Sequence, residues 1–142
     1  MRPHRRANRL KTEHQEQCAL IARCDTVGTK LWPTFTMPNG TFQIIAIPNG
    51  GKRTKAGSKQ LKNAGVRRGV PDLFIPVPMP KKHGRGHYCG LWIELKTIDG
   101  GIVSDEQTEW ITAFDGAGYY ATVSHGCDAA WAVIEKYMEG EL

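Results

Sequence analysis

Two acids and a lysine lie in two apolar segments of the chain, at positions that can bring them together. Asp72 opens one apolar segment, and Glu94 and Lys96 lie inside a second one. Side chains alternate between the two faces of a strand, so Glu94 and Lys96 are expected to share a face while their neighbours enter a core. Charges on a largely apolar strand are costly to bury without partners. A bound cation, with Asp72 on the neighbouring strand, would compensate them.

Oxygen ligands of this kind suit a metal-dependent phosphodiester hydrolysis. Mg²⁺ or Mn²⁺ held by carboxylates can activate a water, relieve charge on the phosphate and assist the leaving oxygen. Such hard cations keep several waters, so two or three acids suffice. We expect Asp72 and Glu94 to be the principal ligands, with the backbone carbonyl of Leu95 as a third. Lys96 is expected to orient the nucleophile or to stabilise the developing charge.

Glu13 is a third candidate acid, and its pattern has two interpretations. Thr12 and Gln15 form a capping box, so a helix should start here. Glu13 falls within the apolar stripe of this helix and Glu16 at its edge, so packing on the sheet would draw Glu13 inward. An acid in a first helical turn also simply suits the helix dipole.

Gln107 likewise has two interpretations. It is the fourth residue of a second capping box that begins at Ser104. Its side chain is therefore explained by helix capping, without any role in chemistry. A role in chemistry is the alternative interpretation.

Capping boxes, periodicity and turn residues predict the elements that position these side chains. Helices are expected over 12–25, 54–64, 105–116 and 127–138, and strands over 31–36, 42–48, 72–77, 91–97 and 119–124. The first two strands are predicted to form a hairpin around Pro38-Asn39-Gly40. The segment 78–89 is predicted to be a loop. This order predicts an α/β fold with a mixed β-sheet flanked by helices.

Composition excludes several classes of protein. The chain has 142 residues, of which 40% are hydrophobic and 23% charged, as expected for one folded domain over residues 12–142. No apolar stretch approaches the roughly 20 residues that span a membrane. The basic N-terminus lacks the apolar core of a signal peptide. We therefore predict a cytoplasmic protein whose four scattered cysteines are reduced thiols.

The positive charge is concentrated in the first half of the chain. Residues 26–71 contain no Asp or Glu, and the net charge is +5. Residues 1–11 are predicted to be a flexible basic arm. These features favour a polyanion such as DNA, although a solvated basic helix face is the alternative. The predicted DNA-binding residues are Lys52, Arg53, Lys55, Lys59, Lys62, Arg67 and Arg68.

Taken together, the motifs resemble those of a known family. Pro71-Asp72 followed by Glu94-Leu95-Lys96 is similar to the signature of the PD-(D/E)XK nuclease superfamily. The wider pattern resembles its VRR-NUC (virus-type replication-repair nuclease) family, in the small stand-alone phage form, over roughly residues 12–138. The segments that carry the resemblance are Thr12-Glu13 with Gln17, Ile47–Arg53, Lys62–Val66, Gly69–Phe74, Gly90–Lys96, Ser104 with Gln107 and Trp110, and Gly118-Tyr119.

The resemblance implies a restriction-endonuclease-like core and a Mg²⁺- or Mn²⁺-dependent DNA nuclease. For stand-alone members it further implies a homodimer that acts on branched DNA, such as four-way junctions. Carried over by position, Asp72 and Glu94 would be metal ligands and Lys96 the catalytic lysine. Glu13 would be the acid of the first helix, with Glu16 as the alternative, and Gln107 the glutamine after the third motif.

We therefore predict a divalent-metal-dependent endodeoxyribonuclease that selects DNA by structure, acting in a bacterial or phage-infected cell. Two alternatives stay open. A sequence-specific endonuclease of the restriction type would need a recognition element for which this short chain has little length. A non-catalytic DNA-binding protein could retain a nuclease-like core. No nucleotide cofactor is expected, because Gly50 and Gly51 lack the rest of a phosphate-loop fingerprint.

Overall fold

The computed structural model describes residues 10–48 and 54–142, which contain six strands. They are β1 (Ile45–Ala46), β2 (Leu73–Ile75), β3 (Met79–Pro80), β4 (His87–Tyr88), β5 (Leu91–Lys96) and β6 (Tyr120–His125). Four of them form a sheet in the order β1-β2-β5-β6, and β3 pairs with β4 separately. Strand β5 is antiparallel to β2 and parallel to β6, so the sheet is mixed, as predicted.

The described residues contain five α-helices. They are α1 (Glu13–Arg23), α2 (Thr29–Leu31), α3 (Lys55–Asn63), α4 (Asp105–Gly116) and α5 (Cys127–Met138). Of these, α1, α4 and α5 pack on the sheet. Both predicted capping boxes are present, at Thr12 for α1 and at Ser104 for α4. No helix among the described residues is long and apolar enough to span a membrane. The four cysteines are unpaired, as predicted.

The two faces of β5 are covered by different helices. Leu91, Ile93 and Leu95 are buried in one apolar cluster with residues of α1 and α5, such as Leu20 and Ile134. On the opposite face, α4 packs through aromatic stacking. Trp92 lies between Phe74 and Phe114, with ring centroids at 4.2 and 4.3 Å. The predicted alternation along β5 is therefore confirmed, and Glu94 and Lys96 lie on the α4 side.

The first helical segment is longer than predicted. It continues through a π-helical turn, Cys24–Gly28, into α2. The hydroxyls of Thr26 and Thr29 donate hydrogen bonds to carbonyls one turn back, which keeps these polar residues compatible with a helix. The predicted end of this helix at residue 25 is therefore wrong.

The predicted hairpin over residues 31–48 is also wrong in its first strand. Pro33–Phe35 forms a 3₁₀ turn, and only one bridge, between Thr36 and Phe42, remains of the expected pairing. The turn itself is present, because the Asn39 side chain accepts a hydrogen bond from the Thr41 N–H at 3.1 Å. The loop predicted over 78–89 contains the short ribbon β3–β4.

Candidate active site

Asp72 is held at the start of β2 by the backbone of β5. One carboxylate oxygen, Oδ2, accepts a hydrogen bond from the Leu95 N–H at 2.8 Å. The Asp72 carbonyl accepts a second bond, from the Ile47 N–H at 2.8 Å. The backbone bond extends the sheet to the residue before β2, and the side-chain bond holds the Asp72 carboxylate against β5.

Glu94 and Lys96 form a buried pair on the α4 side of β5. Glu94 is 1% exposed and Lys96 is 6% exposed. The Lys96 Nζ lies 3.3 Å from Glu94 Oε1. The same oxygen accepts a hydrogen bond of 2.6 Å from the Gln107 side-chain amide. One carboxylate oxygen of Glu94 thus has two donors.

Glu13 completes an acidic cluster with these residues. Carboxylate oxygens of Glu13, Asp72 and Glu94 all lie within 4.8 Å of one another. Glu13 is exposed at the start of α1, so packing of the helix on the sheet does not draw it inward. It reaches the other two acids from the surface.

Glu16 is the acid that the core buries. It is 2% exposed, and its Oε2 accepts a hydrogen bond of 2.7 Å from the Cys127 N–H. Because that N–H belongs to the first turn of α5, Glu16 caps α5 and ties α1 to it. Of the two first-helix acids, Glu13 lies at the cluster and Glu16 joins two helices.

The cluster holds more negative than positive charge. Burial, followed by repulsion from Asp72, raises the pKa of Glu94 to about 7, although Lys96 opposes the shift. Burial also raises the pKa of Asp72, against the Leu95 N–H and Lys96, which lower it. Two partly desolvated carboxylates, Asp72 and Glu94, therefore lie near one ammonium, and the exposed carboxylate of Glu13 adds a third negative charge.

A hard divalent cation fits this donor set. The second oxygen of Glu94, Oε2, is buried and has no hydrogen-bond partner. Carboxylate oxygens without donors are the ligands that Mg²⁺ and Mn²⁺ prefer. In a strand the N–H and C=O of one residue point to the same edge, so the Leu95 carbonyl faces the edge where its N–H meets Asp72.

Comparison with known proteins assigns the chain to a family. The sequence model of the VRR-NUC domain matches residues 30–128, well over half of the chain. This chain belongs to the VRR-NUC family. A solved structure described as a VRR_NUC domain protein has the same fold, with a TM-score of 0.70, 24% sequence identity, and coverage of 92% of this chain and 91% of that one. No curated protein sequence matches the chain significantly.

Membership confirms the predicted family, and this chain carries a nuclease domain. Four of the five candidate catalytic residues lie inside the matched region: Asp72, Glu94, Lys96 and Gln107. Glu13 precedes it, so its place at the site depends on the structure alone.

In this VRR-NUC domain the side chain of Gln107 makes two contacts. One caps helix α4, and the other reaches the acidic cluster. Its side-chain oxygen accepts a hydrogen bond from the Ser104 N–H at 2.9 Å, as in a capping box. Its amide nitrogen donates to Glu94. The start of α4 is thus hydrogen-bonded to the acidic cluster.

The predicted DNA-binding residues spread along α3 and the segment that follows it. Lys55, Lys59, Lys62, Arg67 and Arg68 are exposed, whereas Lys52 and Arg53 lie outside the described residues, as do residues 1–9 of the basic arm. Arg68 lines the same cleft, of about 180 Å³, as Asp72 and Gln107. Lys55, Lys59, Lys62 and Arg67 lie outside that cleft.

Two glycines shape this site, and sequence reasoning gave them no role there. Gly69 has a φ of 84°, and a Cβ at this position would lie 2.7 Å from the backbone of Glu106. Gly101 lies against the Lys96 side chain, where a Cβ would be 3.0 Å from Cδ. A single sequence shows these residues only as turn glycines, because the close approaches involve distant segments.

Proposed function

We propose that this VRR-NUC domain is a divalent-metal-dependent DNA endonuclease that hydrolyses phosphodiester bonds. The observation that carries the proposal is the cluster of three carboxylates within 4.8 Å of one another beside a lysine. Structural ion pairs rarely gather such an excess of acid around desolvated carboxylates such as Asp72 and Glu94, because the repulsion raises the free energy of the folded state.

Glu13, Asp72, Glu94 and the Leu95 carbonyl would hold Mg²⁺ or Mn²⁺. When bound, the ion supplies an activated water and neutralises charge on the phosphate. The Leu95 N–H keeps Asp72 in place, and Gln107 does the same for Glu94. Neither acid then needs to reorganise when substrate arrives.

Lys96 would act directly on the substrate. Its Nζ already contacts Glu94 and is almost fully buried, so its position is defined. An ammonium there can donate a hydrogen bond to a non-bridging phosphate oxygen or to the attacking water. Both contacts stabilise charge that develops in the transition state.

The basic residues of α3 and the following segment would hold the DNA backbone. Contacts from lysine and arginine to phosphates give affinity without sequence readout. Such contacts do not by themselves distinguish branched DNA from a duplex. The proposal that branched DNA is the preferred substrate rests on the family resemblance.

A homodimer would place two sites on two strands of a junction, as symmetric cutting requires. This part of the proposal rests on the family resemblance. Light scattering coupled to size exclusion should give twice the mass of one chain. A monomer that still cuts both strands of a junction would contradict it.

Cleavage of labelled DNA tests the central proposal. Four-way junction, flap, linear duplex and single strand are incubated with Mg²⁺, Mn²⁺ or EDTA, for the parent and for Lys96→Ala and Asp72→Ala. The parent should cut the junction only with metal, and both variants should lose cleavage. Lys96→Ala should keep DNA binding, whereas Asp72→Ala should weaken metal binding. Lys136→Ala, an exposed change on α5, is the matched control for Lys96→Ala.

Three outcomes would contradict the proposal. Cutting by Lys96→Ala at the parental rate would reject the assigned site. Discrete fragments from unrelated linear duplexes would favour a restriction-type enzyme. Tight binding without cutting of any substrate would favour a non-catalytic DNA-binding protein.

A further inference from the structure

A second concave surface lies beside the candidate active site. It is a groove of about 430 Å³ between the end of α3 and α4, with a largely apolar lining. We call it the α3–α4 groove. Its lining includes Ala64, Val66, Arg67, Val70, Trp110 and Phe114. Val70 also lines the cleft that contains Asp72 and Gln107, so the groove and the active-site cleft adjoin.

Helix α4 sets the distance between the groove and the acids. Gln107, Trp110 and Phe114 are spaced by three and four residues, so they lie along one face of the helix. Gln107 contacts Glu94, whereas Trp110 and Phe114 line the groove. Trp110 is therefore about one turn, roughly 5 Å along the axis, from the residue that touches the cluster. A nucleotide next to the scissile phosphate could reach it.

The chemistry of the groove suits a flat, partly polar ring. The Trp110 Nε1 donates a hydrogen bond of 3.0 Å to the Arg68 carbonyl, which fixes the indole against the basic segment. Since that hydrogen bond occupies its polar atom, Trp110 offers a ligand its aromatic surface. Aromatic surfaces stack on any base, and Arg67 at the groove adds a donor and a positive charge.

Charge indicates which ring-bearing ligand would come here. One wall of the groove is the segment that carries Lys59, Lys62, Arg67 and Arg68, within a stretch of 46 residues, 26–71, that has no acid. The other wall, α4, carries acids such as Glu106 and Glu109, but these do not line the groove, whereas Arg67 does. A polyanion that carries aromatic bases gains more binding free energy from this surface than a neutral or acidic apolar partner does. Bases in a duplex are paired and stacked, so moving one of them into the groove costs free energy. An unpaired base enters the groove with less of this cost.

We infer that the α3–α4 groove binds the base of an unpaired nucleotide next to the cleaved phosphate. The inference rests on the proposed nuclease function and gives it a physical source of selectivity. A branch point or flap supplies an unpaired base, whereas a perfect duplex does not. The groove would therefore strengthen binding of branched DNA without reading sequence.

The test compares binding to two DNAs that differ in one unpaired nucleotide. Affinity is measured in EDTA by fluorescence anisotropy, for a duplex and for the same duplex with a single-base bulge. Ala64→Phe fills the groove from an exposed position, and Ala113→Phe places the same ring on an exposed position of α4 that does not line it. Ala64→Phe should weaken binding of the bulged DNA roughly tenfold, with under twofold change for the duplex. Ala113→Phe should change neither.

A second pair of variants isolates the aromatic surface. Trp110→Phe and Trp110→Leu both lose the bond to the Arg68 carbonyl, and only the first keeps a ring. Trp110→Phe should keep most of the preference for bulged DNA, and Trp110→Leu should lose it. Fluorescence of 2-aminopurine at the unpaired position should respond to the parent and not to Ala64→Phe.

Equal affinity of Ala64→Phe and parent for the bulged DNA would overturn the inference. So would an equal loss on both DNAs, or the same preference in Trp110→Phe and Trp110→Leu. Because these measurements need no cleavage, their failure is distinguishable from a failure of the nuclease proposal. Failure of that proposal would show instead as the absence of metal-dependent cutting by the parent.

Discussion

At the scale of single residues, Gln107 both caps helix α4 and contacts the acidic cluster. The effects of these two contacts can be measured separately. Gln15 occupies the same capping-box position in α1, but its capping partner is Thr12 alone. We expect Gln107→Ala and Gln15→Ala each to lower the free energy of unfolding by about 1 kcal/mol. Only Gln107→Ala should reduce cleavage, by about tenfold or more, since Glu94 loses a donor. Denaturant unfolding and cleavage rates measure the two effects, and equal activity in both variants would contradict a role for Gln107.

Substitution of Glu13 should change activity, whereas substitution of Glu16 should change stability. Glu13→Gln changes an exposed acid of the cluster, so it should leave the melting temperature unchanged and raise the Mg²⁺ concentration needed for cleavage. Glu16→Ala removes the acceptor of the Cys127 N–H and should cost about 1–3 kcal/mol of stability. Thermal unfolding and Mg²⁺ titration of cleavage distinguish the two. If Glu16→Gln, which keeps an acceptor, shifted the Mg²⁺ requirement and Glu13→Gln did not, the assignment of the two acids would be reversed.

The raised pKa of Glu94 predicts that the metal-free fold becomes less stable as pH rises. The ordinary pKa of Glu is 4.5 and in the folded protein that of Glu94 is about 7. The folded state therefore binds more protons than the unfolded state between these values, and stability falls as pH rises through this window. Removing the charge with Glu94→Gln should stabilise the metal-free protein at pH 8 by about 1–3 kcal/mol. Unfolding in EDTA at pH 5 and pH 8 tests this; a parent that is more stable at pH 8, or no gain in the variant, would contradict it.

At the scale of elements, Gly69 lets the segment before Asp72 approach α4. Gly69→Ala should cost about 2–4 kcal/mol, because it combines a left-handed conformation with a contact of 2.7 Å to the backbone of Glu106. Gly65 is the matched control, since its φ is 99° but a Cβ there meets nothing within 4 Å. Gly65→Ala should cost only about 1–2 kcal/mol. Equal losses for the two variants in denaturant unfolding would show that the close approach has no energetic effect.

Elements with local causes were predictable from the sequence. The capping boxes at Thr12 and Ser104 and the alternation along β5 depend on neighbouring residues, and the structure confirms all three. They place Glu94 and Lys96 on one face without knowledge of the rest of the chain.

Elements with distant causes were not predictable. Trp32 is buried against Phe42 and Trp131, and its Nε1 donates to Glu139, which lies 107 residues later. These contacts favour a helical turn where the pattern indicated a strand. The burial of Glu16 instead of Glu13 similarly depends on the N-terminus of α5, 111 residues away.

At the scale of the whole molecule, charge and chemistry lie on the same side of the sheet. The active-site residues of β5 face α4, and the α3–α4 groove lies beside them. Helix α5 covers the opposite face. DNA bound along α3 would therefore approach the acids without passing around the sheet.

This arrangement predicts which lysines determine the salt dependence of DNA binding. Lys59 and Lys62 are exposed on α3, so Lys59→Ala/Lys62→Ala should weaken binding and reduce the slope of log affinity against log salt by about 2. The matched control is Lys82→Ala/Lys136→Ala, which removes the same charge from exposed positions near the C-terminal end of α5. Because both double variants change net charge equally, a long-range effect of charge alone would alter their affinities alike. The salt slopes of the two double variants should differ only if the α3 lysines contact phosphates, because each such contact releases counterions from the DNA. The slopes are measured by anisotropy titration over about 50 to 200 mM salt, a range in which they are resolved. Equal slopes for the two double variants would show that DNA binds elsewhere on the surface.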